Sequence, residues 1–132
     1  MVLLPIFAGL AVGQNFDAVA AAPMSHEVLL EDDKVRLLRV TVKPGKTEPV
    51  HEHCRTSIMY FEQPQPITYT EYSLIGGKPV AGRSIDAPAM KQGMTVAAGP
   101  EPLHAITNRG PAPFVALRVE FKDPACGSSP PP

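Results

Sequence analysis

The chain of 132 residues has no marked excess of either charge: twelve lysines and arginines stand against thirteen acidic residues, with no basic run. It therefore lacks the electrostatic footprint of a DNA- or RNA-binding domain. No apolar stretch is long enough to span a bilayer. The most prominent, MVLLPIFAGLAVG, covers about a dozen residues where a spanning helix needs ~20. No Leu-x-x-Cys lipobox follows it, so a lipid anchor is not supported. Lysine and arginine are missing before Lys34, and cysteine is limited to Cys54 and Cys126. After Pro23 no segment keeps helical spacing with caps at both ends, and no internal repeat is apparent.

What the sequence does have is proline. Pro44, Pro49, Pro64, Pro66, Pro79, Pro88, Pro100, Pro102, Pro111 and Pro113 lie between short apolar runs, a spacing that breaks helices and suits a β fold with many turns. A helix-like alanine patch in FDAVAAAPMSHEVL precedes strands expected at 27–31 and 34–43. The acidic turn Glu31-Asp32-Asp33 joins those two as a hairpin. Further strands read at 56–62, 67–72, 94–97, 103–107 and 114–121. In KVRLLRVTVK, Leu38, Val40 and Val42 alternate with Arg39, Thr41 and Lys43, the period-2 signature of a strand. Gly76-Gly77 after YSLI marks a hairpin turn. One antiparallel sandwich or barrel is the expected product.

The apolar N-terminus has the length of a signal-peptide core, and Ala11-Val12-Gly13 supplies small residues for cleavage, with Ala20-Ala21-Ala22 as a later alternative. Residues 1–13, or up to 22, are accordingly expected to be removed on export to the periplasm or outside. A buried N-terminal strand or helix of a cytoplasmic protein is the alternative. The ending DPACGSSPPP reads as a disordered tail over 123–132. A Cys54–Cys126 disulfide is compatible with export but is not indicated by the sequence.

Two of the four histidines stand in VHEHC, one residue apart. On a strand, positions i and i+2 project from one face about 7 Å apart, so His51 and His53 aim at one point while Glu52 points away. Cys54 points away from His53 and does not join it in a zinc site. A His-x-His pair alone occurs often on exposed strands. A metal needs a third ligand, and His104 in LHAIT is the candidate. Arg55 has the parity of the histidines if no bulge intervenes and would line the same pocket. Met59 and Phe61 share it as packing residues, with Tyr60 outside. His26 lies outside this pattern and reads as a surface or strand-edge residue.

The spacing around these histidines is similar to the two motifs of the cupin superfamily, G-x5-H-x-H-x3,4-E-x6-G and G-x5-P-x-G-x2-H-x3-N. Gly45, His51 and His53 fall in register with the first, and Gly93, His104 and Asn108 with the second. The glutamate of the first motif is absent, since Ser57 and Ile58 occupy its place, and its closing glycine is absent too. In the second motif Gly99 and Glu101 replace the proline and glycine. The resemblance implies an all-β jelly-roll β-barrel of antiparallel strands over residues 24–122. It also implies a divalent metal held by His51, His53 and His104, with Fe, Mn, Ni, Cu and Zn not distinguished. Three neutral imidazoles with open positions occur in some cupins, such as thiol dioxygenases, and would favour an anionic ligand. A carboxylate from elsewhere is the competing reading, with Glu101 as first candidate and Glu62 as second, although Glu101 reads more simply as a solvated turn residue. Ser57 and Arg55 complete the expected pocket.

The function expected from these features is a metal-dependent oxygenase, isomerase or lyase acting on a small molecule. The alternative is a non-catalytic periplasmic protein that binds a metal or a small anion. The mature form is expected to have no membrane span, and a homodimer through outer sheet faces is common in the resembled family.

Overall fold

A computed structural model describes residues 14–126. One short helix, α1 (Ala18–Ala21), precedes nine strands: β1 (His26–Glu31), β2 (Val35–Val42), β3 (His51–His53), β4 (Ser57–Gln63), β5 (Ile67–Ile75), β6 (Lys78–Ala87), β7 (Thr95–Ala98), β8 (Glu101–Asn108) and β9 (Phe114–Phe121). They form two antiparallel sheets, ordered β1-β2-β9-β4-β7 and β3-β8-β5-β6. The expected jelly-roll barrel is thus the observed architecture.

Local chemistry sets the turns. Between β1 and β2 the Asp32 carboxylate accepts from the backbone N–H of Lys34 and Val35. Gly76 and Gly77 close the β5–β6 hairpin. Gly45 and Gly93, the motif glycines, have φ of 70° and 78°, a region costly for a residue with a Cβ. Gly45 donates its N–H to the Asn108 carbonyl, and the Asn108 side chain donates to the carbonyls of Val42 and Ala112. The motif asparagine is therefore a structural clamp. Strand β6 was not expected, because Pro79 and Gly82 obscure its pattern. Both are tolerated at the edge of the four-stranded sheet, where β6 pairs with β5 alone.

The two ends of the barrel interior differ in chemistry. Inward along β9 point Phe114, Ala116, Arg118 and Glu120 in turn, all buried. At the first end Val40, Val42, Phe61, Phe114 and Ala116 form the apolar core, with Met59, Ile67 and Val96 packed on it. The Phe61 and Phe114 rings meet edge to face with centroids 6.1 Å apart. Tyr60 faces out, as its parity requires. At the other end the interior is ionic, and there the site lies.

The folded unit begins before residue 24. Phe16, Ala18 and Ala22 are buried, the Phe16 carbonyl accepts from Glu52 N–H, and Asp17 caps α1 through Val19 N–H. Cleavage after Ala22 would delete these contacts, whereas the boundary at residue 13 leaves them intact. Residues 1–13, the candidate signal peptide, lie outside the described residues. At the other end, Asp123–Cys126 are placed, contrary to the expected tail from 123, because Cys126 is bonded to Cys54 with Cα atoms 5.4 Å apart. Residues 127–132 lie outside the described residues. Among the described residues no helix is long and apolar enough to cross a membrane.

Candidate metal centre

His51 and His53 come from β3, and Glu101 and His104 from β8. The two strands pair antiparallel, with His51 opposite His104 and His53 opposite Glu101. All three motif histidines are at most 2% exposed. Their ring centroids lie 4.5 Å (His51–His104), 5.0 Å (His51–His53) and 5.6 Å (His53–His104) apart. The three rings face one another, but among the described residues no group of ligand atoms within 4.8 Å holds all three of these histidines together.

Each ring is pinned by its Nδ1. That atom lies 2.8 Å from the Pro49 carbonyl in His51, 2.8 Å from the Pro102 carbonyl in His104, and 2.9 Å from Glu120 Oε1 in His53. Carbonyl and carboxylate oxygens only accept, so Nδ1 carries the hydrogen and Nε2 keeps its lone pair. The buried Nε2 of His51 has no hydrogen-bond partner. Burial also disfavours the imidazolium, lowering His51 to about 3 and pushing His53 and His104 down as well. Neutral imidazoles anchored through Nδ1 leave the Nε2 lone pair as the available donor, which is what a metal ligand requires.

His26 overturns the sequence reading. It is 3% exposed, opens β1 on the opposite sheet, and places its ring 4.5 Å from that of His51 and 5.3 Å from that of His53. Its Nδ1 is held by the Ala22 carbonyl and Ser25 Oγ. The Ala22 carbonyl at the end of α1 orients the ring locally, but its packing against the histidines of the facing sheet is a long-range contact that the pattern PMSHEVL does not encode.

Glu101 is not a solvated turn residue. It begins β8 beside His104 and accepts from Arg118 Nη1 at 2.5 Å and from the Tyr69 hydroxyl at 3.3 Å. Burial would raise its carboxyl, but Arg118 outweighs this and holds it below its usual value. A second carboxylate, Glu48, escaped the sequence reading. It accepts from Ile106 N–H and Ser25 Oγ, lies 3.7 Å from His51 Nε2, and is pushed up to about 8 by burial. A signal for it was present: Glu48-Pro49-Val50-His51 and Glu101-Pro102-Leu103-His104 repeat the tetrad E-P-x-H. In each copy the proline carbonyl orients the histidine.

Three groups bring their ligand atoms within 4.8 Å of one another: His26, His51 and His53; Glu48, His51 and His104; His53, Glu101 and His104. Each shares a histidine with another. These histidine and glutamate groups are consistent with a divalent metal.

Arg55, Ser57 and Glu62 fall elsewhere. β3 ends at His53 and β4 starts at Ser57, so strand parity is lost across the break and Arg55 does not line the cavity. Its Nη1 lies 3.6 Å from Glu120. Ser57 is buried but also outside the cavity lining, and Glu62 is exposed. Glu120 is the centre of a buried ionic network. It accepts from Arg36 Nε and Nη2 at 3.0 and 2.7 Å, and Arg36 also makes a two-pronged pair with Asp17. Burial would raise the Asp17 carboxyl, yet the Arg36 bonds outweigh it and lower it.

The histidines line a cavity of about 220 Å³ whose other walls include Met59, Phe61, Ile67, Tyr69 and Val96. The Tyr69 ring stacks on His104 at 4.8 Å.

No protein-family model matches the chain, and no curated protein matches it in sequence. Solved structures do match its fold. A cupin domain from Bordetella pertussis Tohama I has a TM-score of 0.59 at 16% identity, covering 74% of this chain and 91% of that one. A Klebsiella pneumoniae conserved protein with a double-stranded β-helix domain has a TM-score of 0.53 at 21% identity, covering 77% and 74%. With two antiparallel sheets enclosing a histidine-lined cavity, the protein has the cupin fold.

Proposed function

We propose that the protein holds a divalent metal at His51, His53 and His104 and oxidises a small molecule bound beside it in the barrel cavity. The observation that carries this reading is the buried Nε2 of His51, which makes no hydrogen bond and is set among other imidazoles whose Nδ1 atoms are tied back. Buried polar atoms without partners are rare, and a cation would satisfy this one. His26, Glu48 and Glu101 each bring a ligand atom within 4.8 Å of those of two of these histidines, and one of them would stand in for the absent motif glutamate. Imidazole-rich sets suit iron, nickel, copper and zinc. When bound, such a metal supplies Lewis acidity or oxygen activation. The chain's own residues fix its position, through Glu120, Pro49 and Pro102, and the apolar walls limit water around a small substrate. In the proposed dioxygenation both atoms of O2 enter the organic product, so no external reductant is consumed.

The test is metal per chain by elemental analysis, followed by oxygen uptake of the iron-loaded protein against small thiols, diketones and hydroxy acids. Uptake dependent on one substrate class is expected. Full metal occupancy without uptake on any of them would leave a metal-binding protein and sink the oxygenase reading.

We also propose export. The Cys54–Cys126 bond suits an oxidising compartment, and closing a loop with 72 residues of separation stabilises by about 4 kcal/mol on chain-entropy grounds. Intact-mass analysis of the native protein is expected to give a chain starting at or near Gln14 with both thiols oxidised. Recovery of Met1 on a reduced chain would contradict it.

A further inference from the structure

His26 lies outside both histidine motifs, yet its ring is held in the same way as the rings within them. It pairs with Val40 across β1 and β2, and directly opposite residues share a face of the sheet, so both side chains line the cavity. Its Nδ1 lies 3.1 Å from the Ala22 carbonyl, which only accepts, so Nδ1 carries the hydrogen. Ser25 Oγ, 3.0 Å from the same atom, has the Ala22 carbonyl and the Glu48 carboxylate as acceptors for its own hydrogen. The lone pair is therefore on Nε2, as in His51, His53 and His104. Among the described residues, His26, His51 and His53 form the one group of close ligand atoms made of histidines alone. The two carboxylates that compete for the place of the motif glutamate are engaged at both oxygens. Glu48 accepts from Ile106 N–H and Ser25 Oγ, and Glu101 from the Tyr69 hydroxyl and Arg118. A cation at Glu101 would also face the charge of Arg118.

We propose that His26 Nε2 bonds the metal held by His51 and His53, taking from the opposite sheet the place of the absent motif glutamate. This rests on the reading of the cavity as a metal centre and adds to it a ligand that neither motif contains. β1 belongs to the five-stranded sheet and β3 to the four-stranded one, so the ion ties the two sheets together across the barrel. The Ala22 carbonyl behind His26 then has the role that the Pro49 carbonyl has behind His51: it fixes the tautomer and the direction of the ring.

Zinc titration of the ¹⁵N-labelled full-length protein, followed through the ring nitrogens of its histidines, tests this. Zinc is expected to move the His26 Nε2 signal upfield, from the range of a free lone pair to that of a metal-bound nitrogen, and to leave Nδ1 protonated. By calorimetry His26→Ala is expected to bind zinc at least about tenfold more weakly than the wild-type protein, because losing a ligand costs no less than losing a group behind one. Glu48→Gln, which keeps an oxygen for Ile106 N–H, is expected to lose less than His26→Ala. Should His26→Ala unfold by circular dichroism, the ring-nitrogen measurement decides alone, since it needs no variant. Zinc uptake with an unmoved His26 Nε2 signal, zinc affinity unchanged in His26→Ala, or a greater loss in Glu48→Gln than in His26→Ala would each overturn the proposal while leaving a metal centre in place. A wild-type protein that takes up no zinc or other divalent metal would remove the metal reading itself, and this proposal with it.

Discussion

Alanine at His51, His53 or His104 is expected to lower metal affinity by at least about a hundredfold, since even residues behind a ligand are worth tenfold to a hundredfold. Each substitution removes one Nε2 donor from a cluster whose ring centroids are 4.5 to 5.6 Å apart. His26→Ala is expected to reduce metal content too, because its ligand atom lies within 4.8 Å of those of His51 and His53. Sequence alone would have used His26 as an inert control. Ser57→Ala is the better one, since its hydroxyl does not line the cavity. The fold should persist without metal, because Phe114, Leu38 and their neighbours form a core that no ion organises. Elemental analysis with circular dichroism in parallel decides the matter. Full occupancy in His104→Ala would mean that VHEHC is a polar strand segment, or belongs to a site of different composition.

Glu120→Ala is expected to be the most damaging single polar substitution, at about 3–5 kcal/mol, the typical cost of breaking a buried ion pair from one side. Glu120 is 1% exposed and Arg36 is 8% exposed, so the guanidinium has little access to water once its partner is gone. Asp17 would still hold the two Nη atoms but not Nε. The same change frees the His53 ring, whose Nδ1 depends on Glu120 Oε1. Metal affinity should therefore fall by about tenfold to a hundredfold alongside stability. Glu120→Gln keeps the shape and part of the hydrogen bonding and should lie between. Chemical denaturation of the metal-free proteins isolates the stability effect, and a loss below about 1 kcal/mol would show that the network carries no net stability.

Period-2 alternation made β2, β4 and β9 legible because each has one face against the interior, and burial forces the side-chain pattern to follow the pleat. β6 was hidden since an edge strand with most residues exposed is under no such constraint. The buried face of β9 is the one its composition does not suggest. Val115, Leu117, Val119 and Phe121 look like core by composition, yet Phe114, Ala116, Arg118 and Glu120 are the buried set. Charged residues are buried there because each has a partner on another strand: Arg118 with Glu101, and Glu120 with Arg36 and His53. Such compensation is between residues far apart in sequence, so no local window contains it.

By itself the sequence determined the strand-and-turn grammar, the antiparallel all-β class, and the convergence of His51 and His53. These follow from alternation, turn chemistry and the fixed geometry of a strand, all properties of neighbours along the chain. Only the tertiary structure decided that His26 faces the other histidines and that Glu48 and Glu101 stand beside them. Those outcomes depend on which strands the two sheets bring face to face, and a side chain's burial and partners are set by that packing across the barrel.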